Sequence, residues 1–158
     1  MESIIKKPKD CSSAELNTFE RLVREGGEVE ASGLRKRIGQ AEQLIFIYDG
    51  ECIAVGAIKN PSTKYKYRVF KKSGVNNPDQ FELELGWLYV TENARRKGIG
   101  RILMQNIVRA LTDKGCFATT REENTSMHSL FGEFDFLKLG YPYKSEKGDY
   151  SLVLYARL

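Results

Sequence analysis

The sequence is poor in the residues that carry several familiar chemistries. Its 158 residues include three cysteines, one histidine and one tryptophan. Cys11, Cys52 and Cys116 are odd in number and scattered, which argues against a disulfide framework and for a reducing compartment. With His128 alone and no Cys-x-x-Cys pair, a zinc site or a Cys–His pair lacks material. A serine triad would have to use His128. No apolar run approaches the roughly 20 residues that a membrane helix needs; Leu44-Ile-Phe-Ile-Tyr48 is strand-length. The start, Met1-Glu-Ser-Ile-Ile-Lys-Lys, has no hydrophobic signal segment, and Ala156-Arg-Leu158 is no lipidation motif. These absences predict a cytoplasmic protein with no membrane association.

Lysine and arginine total 25 against 21 acidic residues, a net +4. That excess is too small to mark a nucleic-acid binder but suits one anionic ligand. Hydrophobic residues are 41% and charged residues 29%, ordinary globular usage. The length fits one domain, residues 1–158, which buries about two-thirds of its unfolded surface. No repeat or linker interrupts it.

Ser12-Ser-Ala-Glu15 reads as a capping box, with Cys11 and Leu16 placed for a staple. Leu16, Phe19, Leu22 and Val23 make a helical stripe that Gly26-Gly27 stops. A second helix carries Leu34, Ile38 and Ala41. Leu44–Tyr48 and Cys52–Ile58 read as strands around Asp49-Gly50, a hairpin signal. The polar stretch Asn60–Asp79 gives no clear element. Phe81–Val90 reads as a strand, Gly100–Asp113 as a helix, Cys116–Thr120 as a strand, and Met127, Leu130, Phe131 and Phe134 as a helix face. Phe136–Leu139 and Tyr150–Tyr155 close the chain as strands. This order predicts an α/β (α+β) layer fold, a mixed sheet with helices on its faces.

The most informative segment is Leu88-Tyr-Val-Thr-Glu-Asn-Ala-Arg95-Arg96-Lys97-Gly98-Ile99-Gly100-Arg101. A strand ends, a basic glycine loop follows and a helix begins. A helix N-terminus offers unpaired N–H groups and a partial positive charge. With glycines and four basic side chains in one turn, the parts make a phosphate cradle. The Walker loop does not fit, because Gly100 is followed by Arg101-Ile102. Nor does the dinucleotide fingerprint, whose third glycine position is Leu103.

The pattern that fits is Arg/Gln-x-x-Gly-x-Gly/Ala, here Arg95-x-x-Gly98-x-Gly100. In this the sequence resembles the GNAT N-acetyltransferase superfamily, whose loop wraps the pyrophosphate of acetyl-CoA. Asn124, Met127, Phe131, Asp135 and Phe136 resemble its Asn-x-x-Ala-x-x-x-Tyr-x-x-x-Gly-Phe segment. Two departures stand out: Met127 at the alanine and Phe131 at the tyrosine, which in many members is the proposed general acid. Asp135 at the glycine is a lesser one.

The resemblance implies a GNAT-like, mostly antiparallel sheet opening between the strands that end at Val90 and Thr120. It implies direct acetyl transfer from acetyl-CoA to a primary amine. Glu84 stands eleven residues before Arg95, the offset of the base glutamate in members that have one; Glu82 is next in line. Glu84 shares a strand face with Glu82, Gly86, Leu88 and Val90, since strand side chains alternate, with Trp87 in the core opposite. By resemblance the Leu88 N–H serves the carbonyl oxygen and the Val90 backbone holds the pantetheine arm. Cofactor-binding residues are then Leu88, Tyr89, Val90, Arg95, Arg96, Lys97, Gly98, Ile99, Gly100, Arg101, Asn124 and Phe131. Asn124 contacts the cofactor arm or caps its helix. Tyr141 and Tyr89 are candidate substitutes for the missing acid, and Phe131→Tyr should leave cofactor binding intact and raise turnover. No metal is implied.

Other residues read more plainly. His128 is expected on a helix surface and Cys52 and Cys116 in the core. Lys64-Tyr-Lys-Tyr-Arg68 reads as a strand or flap beside the acceptor site, ahead of a nucleic-acid contact. Thr119-Thr-Arg121 would line the acceptor pocket. A small-molecule amine is the favoured acceptor. The alternatives are a CoA-binding module with little catalysis, supported by Phe131, and toxin-like acetylation of aminoacyl-tRNA. The strand Tyr150–Tyr155 would allow a homodimer.

Overall fold

Seven strands and five α-helices account for most of residues 1–158 of the computed structural model. The chain divides into two units, Met1–Asn60 with Leu85–Ala110, and Pro61–Glu84 with Leu111–Leu158.

In the first unit, β1 (Glu2–Lys6) pairs antiparallel with β2 (Gln43–Asp49), which turns at Gly50 (φ 80°) into β3 (Glu51–Lys59). The sequence reading places no strand before α1. It misses β1 because this short edge strand is only half-buried at best and lacks alternation. Helix α1 (Ser13–Gly26) starts on the expected capping box: Ser12 Oγ accepts from Glu15 N at 3.0 Å and Glu15 Oε1 accepts from Ser12 N at 2.8 Å. Gly27 ends it at φ 74°. Phe19, Leu22 and Val23 of α1 pack with Leu34 and Ile38 of α2 (Leu34–Gly39) against Leu44, Phe46, Val55 and Ala57 of the sheet. Burial of each such side chain stabilises by about 1.5–3 kcal/mol. Gly56, between Val55 and Ala57, points the other way: a Cβ there would meet Leu103 and Ile107 of α4 (Ile99–Leu111). So α1 and α4 cover opposite faces of this part of the sheet.

In the second unit, Asn60–Asp79 contains a helix, α3 (Thr63–Ser73), where the sequence suggested a strand or flap at Lys64–Arg68. Ser62 caps its start, accepting from Tyr65 N at 3.2 Å, and Gly74 (φ 72°) ends it. The alternating Lys-Tyr-Lys-Tyr pattern is misleading here. Tyr65 and Val69 lie one turn apart, and Val69, Phe70 and Ser73 are the buried residues. Phe70 stacks on Phe81 at 5.6 Å and meets Phe117 edge-on at 5.4 Å.

Strand β4 (Leu83–Val90) begins later than the expected Phe81, because Phe81 caps a 3₁₀ turn, Pro78–Gln80. Its first residues pair parallel with β5 (Cys116–Arg121), Leu83 with Cys116 and Glu84 with Phe117. Strand β5 is antiparallel to β7 (Ser151–Arg157), which forms a hairpin with β6 (Leu137–Lys144). Strand β6 continues past the expected end at Leu139, since Gly140 (φ 68°) and a register shift carry it through as a bulge. Helix α5 (Thr125–Glu133) ends where Asp135 takes φ 64°, the conformation a glycine would take with least strain. Phe131 of α5 packs on Phe136 and Tyr155, at 5.3 and 4.8 Å.

The strand order is β1-β2-β3-β4-β5-β7-β6 in one sheet. With β4–β5 as its parallel pair, this is the mixed, mostly antiparallel α/β arrangement expected from the sequence.

Candidate active site

Two groups of predicted residues stand in the structure, one in each unit. In the first unit, β4 ends at Val90, and Thr91 N donates to Ile53 O at 2.9 Å. A 3₁₀ turn, Glu92–Ala94, leads to Arg95 in extended backbone; Arg96 (φ 64°) and Gly98 (φ 77°) are left-handed. Gly98 O accepts from Ile102 N at 3.2 Å, so the first N–H groups of α4 belong to Ile99, Gly100 and Arg101. Arg95, Arg96, Lys97 and Arg101 are all exposed. No atom lies within 4 Å of a Cβ placed on Gly98; its glycine answers a backbone conformation and not a lack of room.

Arg95 is turned back on the strand. Its Nε donates to Val90 O at 3.1 Å, and its guanidinium lies 5.6 Å from the Tyr89 ring centre. The Tyr89 hydroxyl donates in turn to Glu25 Oε2 at 2.7 Å. Burial and this carboxylate push the phenol above its ordinary pKa. Arg95 therefore fastens the strand end, and Tyr89 is committed to α1. A cavity of about 210 Å³ beside the loop is lined by Asp49, Glu51, Thr91, Asn93 and Lys97. Its two carboxylates, Asp49 and Glu51, lie opposite Lys97 and Ile99 of the loop.

Trp87 takes φ 54° in the middle of β4, an outlier for a bulky residue. Its ring meets Phe19 edge-on at 6.2 Å, and the Lys59 ammonium sits 4.4 Å from its centre. Trp87 and Tyr89 both pack with the α1 cluster, while Leu88 lies at Gly56 on the α4 side. Leu88 thus lies opposite Trp87, as strand alternation predicts.

In the second unit, Glu84 is 4% exposed, whereas Glu82 is exposed. The Tyr65 hydroxyl donates to Glu84 Oε2 at 2.9 Å. The Tyr65 ring packs on Phe117 at 6.4 Å, under the guanidinium of Arg68 at 5.7 Å. Burial, then the charge of Glu84, push the Tyr65 phenol far above the usual tyrosine range; a hydrogen bond from Thr119 works against that rise. Tyr143 on β6 is pushed up to about 12 by burial and by Glu84, with Arg68 opposing. The sequence reading missed Tyr65 and Tyr143 as partners of Glu84. A signal existed for Tyr65, in Ser62 and Gly74 as caps around a four-residue spacing. Tyr143 is paired to this group only by the tertiary fold.

The predicted α5 residues have structural duties. Asn124 caps the helix, its Oδ1 accepting from Met127 N at 3.2 Å. Phe131 is 1% exposed, packed among aromatic rings. His128 is half-buried, not a surface residue. Its Nε2 faces the carbonyls of Glu122 and Arg121 at 2.9 and 3.2 Å, which requires the proton there. The Tyr155 hydroxyl lies 2.5 Å from Nδ1. Arg121 stacks 3.7 Å from the Tyr150 ring centre. Tyr141 is exposed and covers Gly74. Cys52 and Cys116 are buried, and neither they nor Cys11 form a disulfide.

The acetyltransferase (GNAT) family matches residues 14–136, which include the basic loop, Glu84 and α5. The chain belongs to the GNAT acetyltransferase family. No curated protein matches it by sequence. Among solved structures, it is similar to an acyl-CoA N-acyltransferase from Pseudomonas aeruginosa, with 15% identity, TM-score 0.71 and 99% of each chain covered. Escherichia coli ElaA gives 17% identity, TM-score 0.71 and 99% of each chain. The ribosomal-protein-S18-alanine N-acetyltransferase of E. coli gives 13% identity and TM-score 0.67, over 98% of this chain and 92% of that one. At these identities the likeness is one of fold. GNAT enzymes are N-acetyltransferases whose donor is acetyl-CoA. The loop suits such a donor: a 13-residue helix starts behind a left-handed glycine, with basic side chains exposed beside it. No helix of the chain is long and apolar enough to cross a membrane.

Proposed function

We propose that this GNAT enzyme acetylates a primary amine, a small molecule in first place, with Glu84 as general base. The observation that supports it most is the Glu84 carboxylate, nearly excluded from solvent and hydrogen-bonded by a phenol that remains protonated. An alkyl amine has a pKa of about 10.4 and must lose a proton before it attacks. Glu84 takes that proton, directly or through water.

Arg96, Lys97, Arg101 and the first N–H groups of α4 would hold the donor's pyrophosphate, and Val90 its pantetheine arm. Acetyl-CoA, when bound, supplies a thioester carbonyl open to the amine. The Leu88 N–H serves as the donor to the carbonyl oxygen; the kink at Trp87, directly before it, supports this role. With Phe131 in the core, no side chain of α5 needs to act as acid. A thiol of pKa about 8.5 leaves readily as thiolate.

One observation favours a second reading, an aminoacyl-tRNA acceptor. Helix α3 exposes Lys64, Tyr67, Arg68 and Lys71 at spacings that align them on one face. Thiol release from acetyl-CoA across a panel of amines, amino acids, peptides and aminoacyl-tRNA separates the two. Glu84→Gln should lower turnover on the accepted amine about 10²–10⁴-fold with acetyl-CoA affinity kept. Turnover within a few-fold of wild type would remove Glu84 from the mechanism.

A further inference from the structure

We propose that Tyr65 of α3 is the positioning residue of the reaction, pinning the Glu84 carboxylate and tuning its proton affinity. This inference rests on the reading of Glu84 as the base.

Glu84 and Phe117 are register partners on β4 and β5, so their side chains emerge side by side from the sheet. Helix α3 lies over that spot. Val69 and Phe70 dock it, Phe70 against Phe81 and Phe117. Tyr65, one turn before Val69, then reaches across Phe117 to the carboxylate, 2.9 Å away. The arrangement is rigid at each step. The Tyr65 backbone N–H is fixed by the Ser62 cap, its ring lies between Phe117 and Arg68, and the Thr119 side chain hydrogen-bonds its hydroxyl. A phenol so held offers Glu84 one donor in one direction.

Groups from three elements face the carboxylate. Helix α3 contributes Tyr65 and Arg68, β6 contributes Tyr143, and β5 contributes Phe117 and Thr119, which carry no charge. Of these, Tyr65 is the group shown bonded to Glu84. A donor to a carboxylate favours its ionised form and lowers its pKa. Tyr65 therefore favours the ionised form of Glu84 against the cost of its burial, and holds its rotamer for the incoming amine.

Tyr65→Phe tests this, because it removes the hydroxyl and leaves the packing ring. The Glu84 pKa is followed by NMR of the whole protein with isotope-labelled glutamate, the resonance being assigned by its loss in Glu84→Gln. Tyr65→Phe should raise that pKa by about one unit. The acidic limb of the kcat/KM profile should move up equally on any amine the wild type accepts, with acetyl-CoA affinity unchanged. Tyr67→Phe, whose hydroxyl bonds Asp79 instead, should leave both unmoved. A Glu84 pKa that stays or falls in a folded Tyr65→Phe protein overturns the role of Tyr65. If Glu84→Gln loses turnover while the Tyr65→Phe profile stays in place, Tyr65 fails and the base stands. If Glu84→Gln keeps full turnover, the base reading fails and Tyr65 with it.

Discussion

Replacing Phe131 by tyrosine restores, on paper, the hydroxyl at the position of the GNAT general acid. The structure predicts loss instead of gain. Phe131 is 1% exposed, with Phe136 at 5.3 Å and Tyr155 at 4.8 Å from its ring centre. An added hydroxyl enters an aromatic cluster, and burying it without a partner costs about 1–3 kcal/mol by protein mutational data. The hydroxyl of Tyr155, whose ring packs on Phe131, is already engaged with His128 Nδ1. Taking 2 kcal/mol as a middle value and a urea slope of about 2 kcal/mol per molar, the unfolding midpoint should fall by about 1 M. Far-ultraviolet circular dichroism against urea measures this directly. Turnover per folded molecule should not rise, because the new oxygen faces the packed interior. A Phe131→Tyr protein as stable as wild type and several-fold faster would refute the reasoning. It would mean that the ring edge reaches the reacting groups after all.

Two further predictions use different physics. Gly98 and Gly140 both take positive φ, 77° and 68°, but differ in surroundings. A Cβ on Gly98 meets nothing within 4 Å, while one on Gly140 falls 2.0 Å from Ser73 O. Gly98→Ala should therefore cost only the backbone strain, about 1–2 kcal/mol. Gly140→Ala adds a clash with a helix carbonyl that no rotamer relieves, about 1–3 kcal/mol more. Equal unfolding midpoints for the two variants would contradict this. Tyr143, raised to about 12, and Tyr65, raised further, should be the last tyrosines to ionise in an alkaline titration followed by tyrosinate absorbance. Because folding raises these pKa values, the stability they supply is complete below about pH 10, the unfolded value. The share of Tyr143 is lost as pH rises through about 12, and that of Tyr65 higher still. Tyr143→Phe should lessen that alkaline loss; an unchanged alkaline limb would count against the assignment.

The local features were written in the sequence. Ser12 and Glu15 specify a capping box whatever the fold around them. Asp49-Gly50 specifies a hairpin. Arg95-x-x-Gly98-x-Gly100 before an apolar stripe specifies a basic loop entering a helix, and the family follows from it. Each of these depends on residues within one or two turns of each other.

Three matters were decided elsewhere. The Lys64–Arg68 alternation imitates a strand, but burial of Val69 and Phe70 against Phe81 and Phe117 selects the helix. Trp87 takes a conformation that no local rule favours, and the α1 cluster and Lys59 surround its ring. Tyr65 and Glu84 are nineteen residues apart in sequence, and no spacing announces their hydrogen bond. The sequence alone determined which residues cap, turn and cradle, because those are short-range steric and hydrogen-bonding choices. Only the tertiary structure decided which side chains share an environment. Partners across strands and helices are set by packing, and packing is settled by the whole core at once.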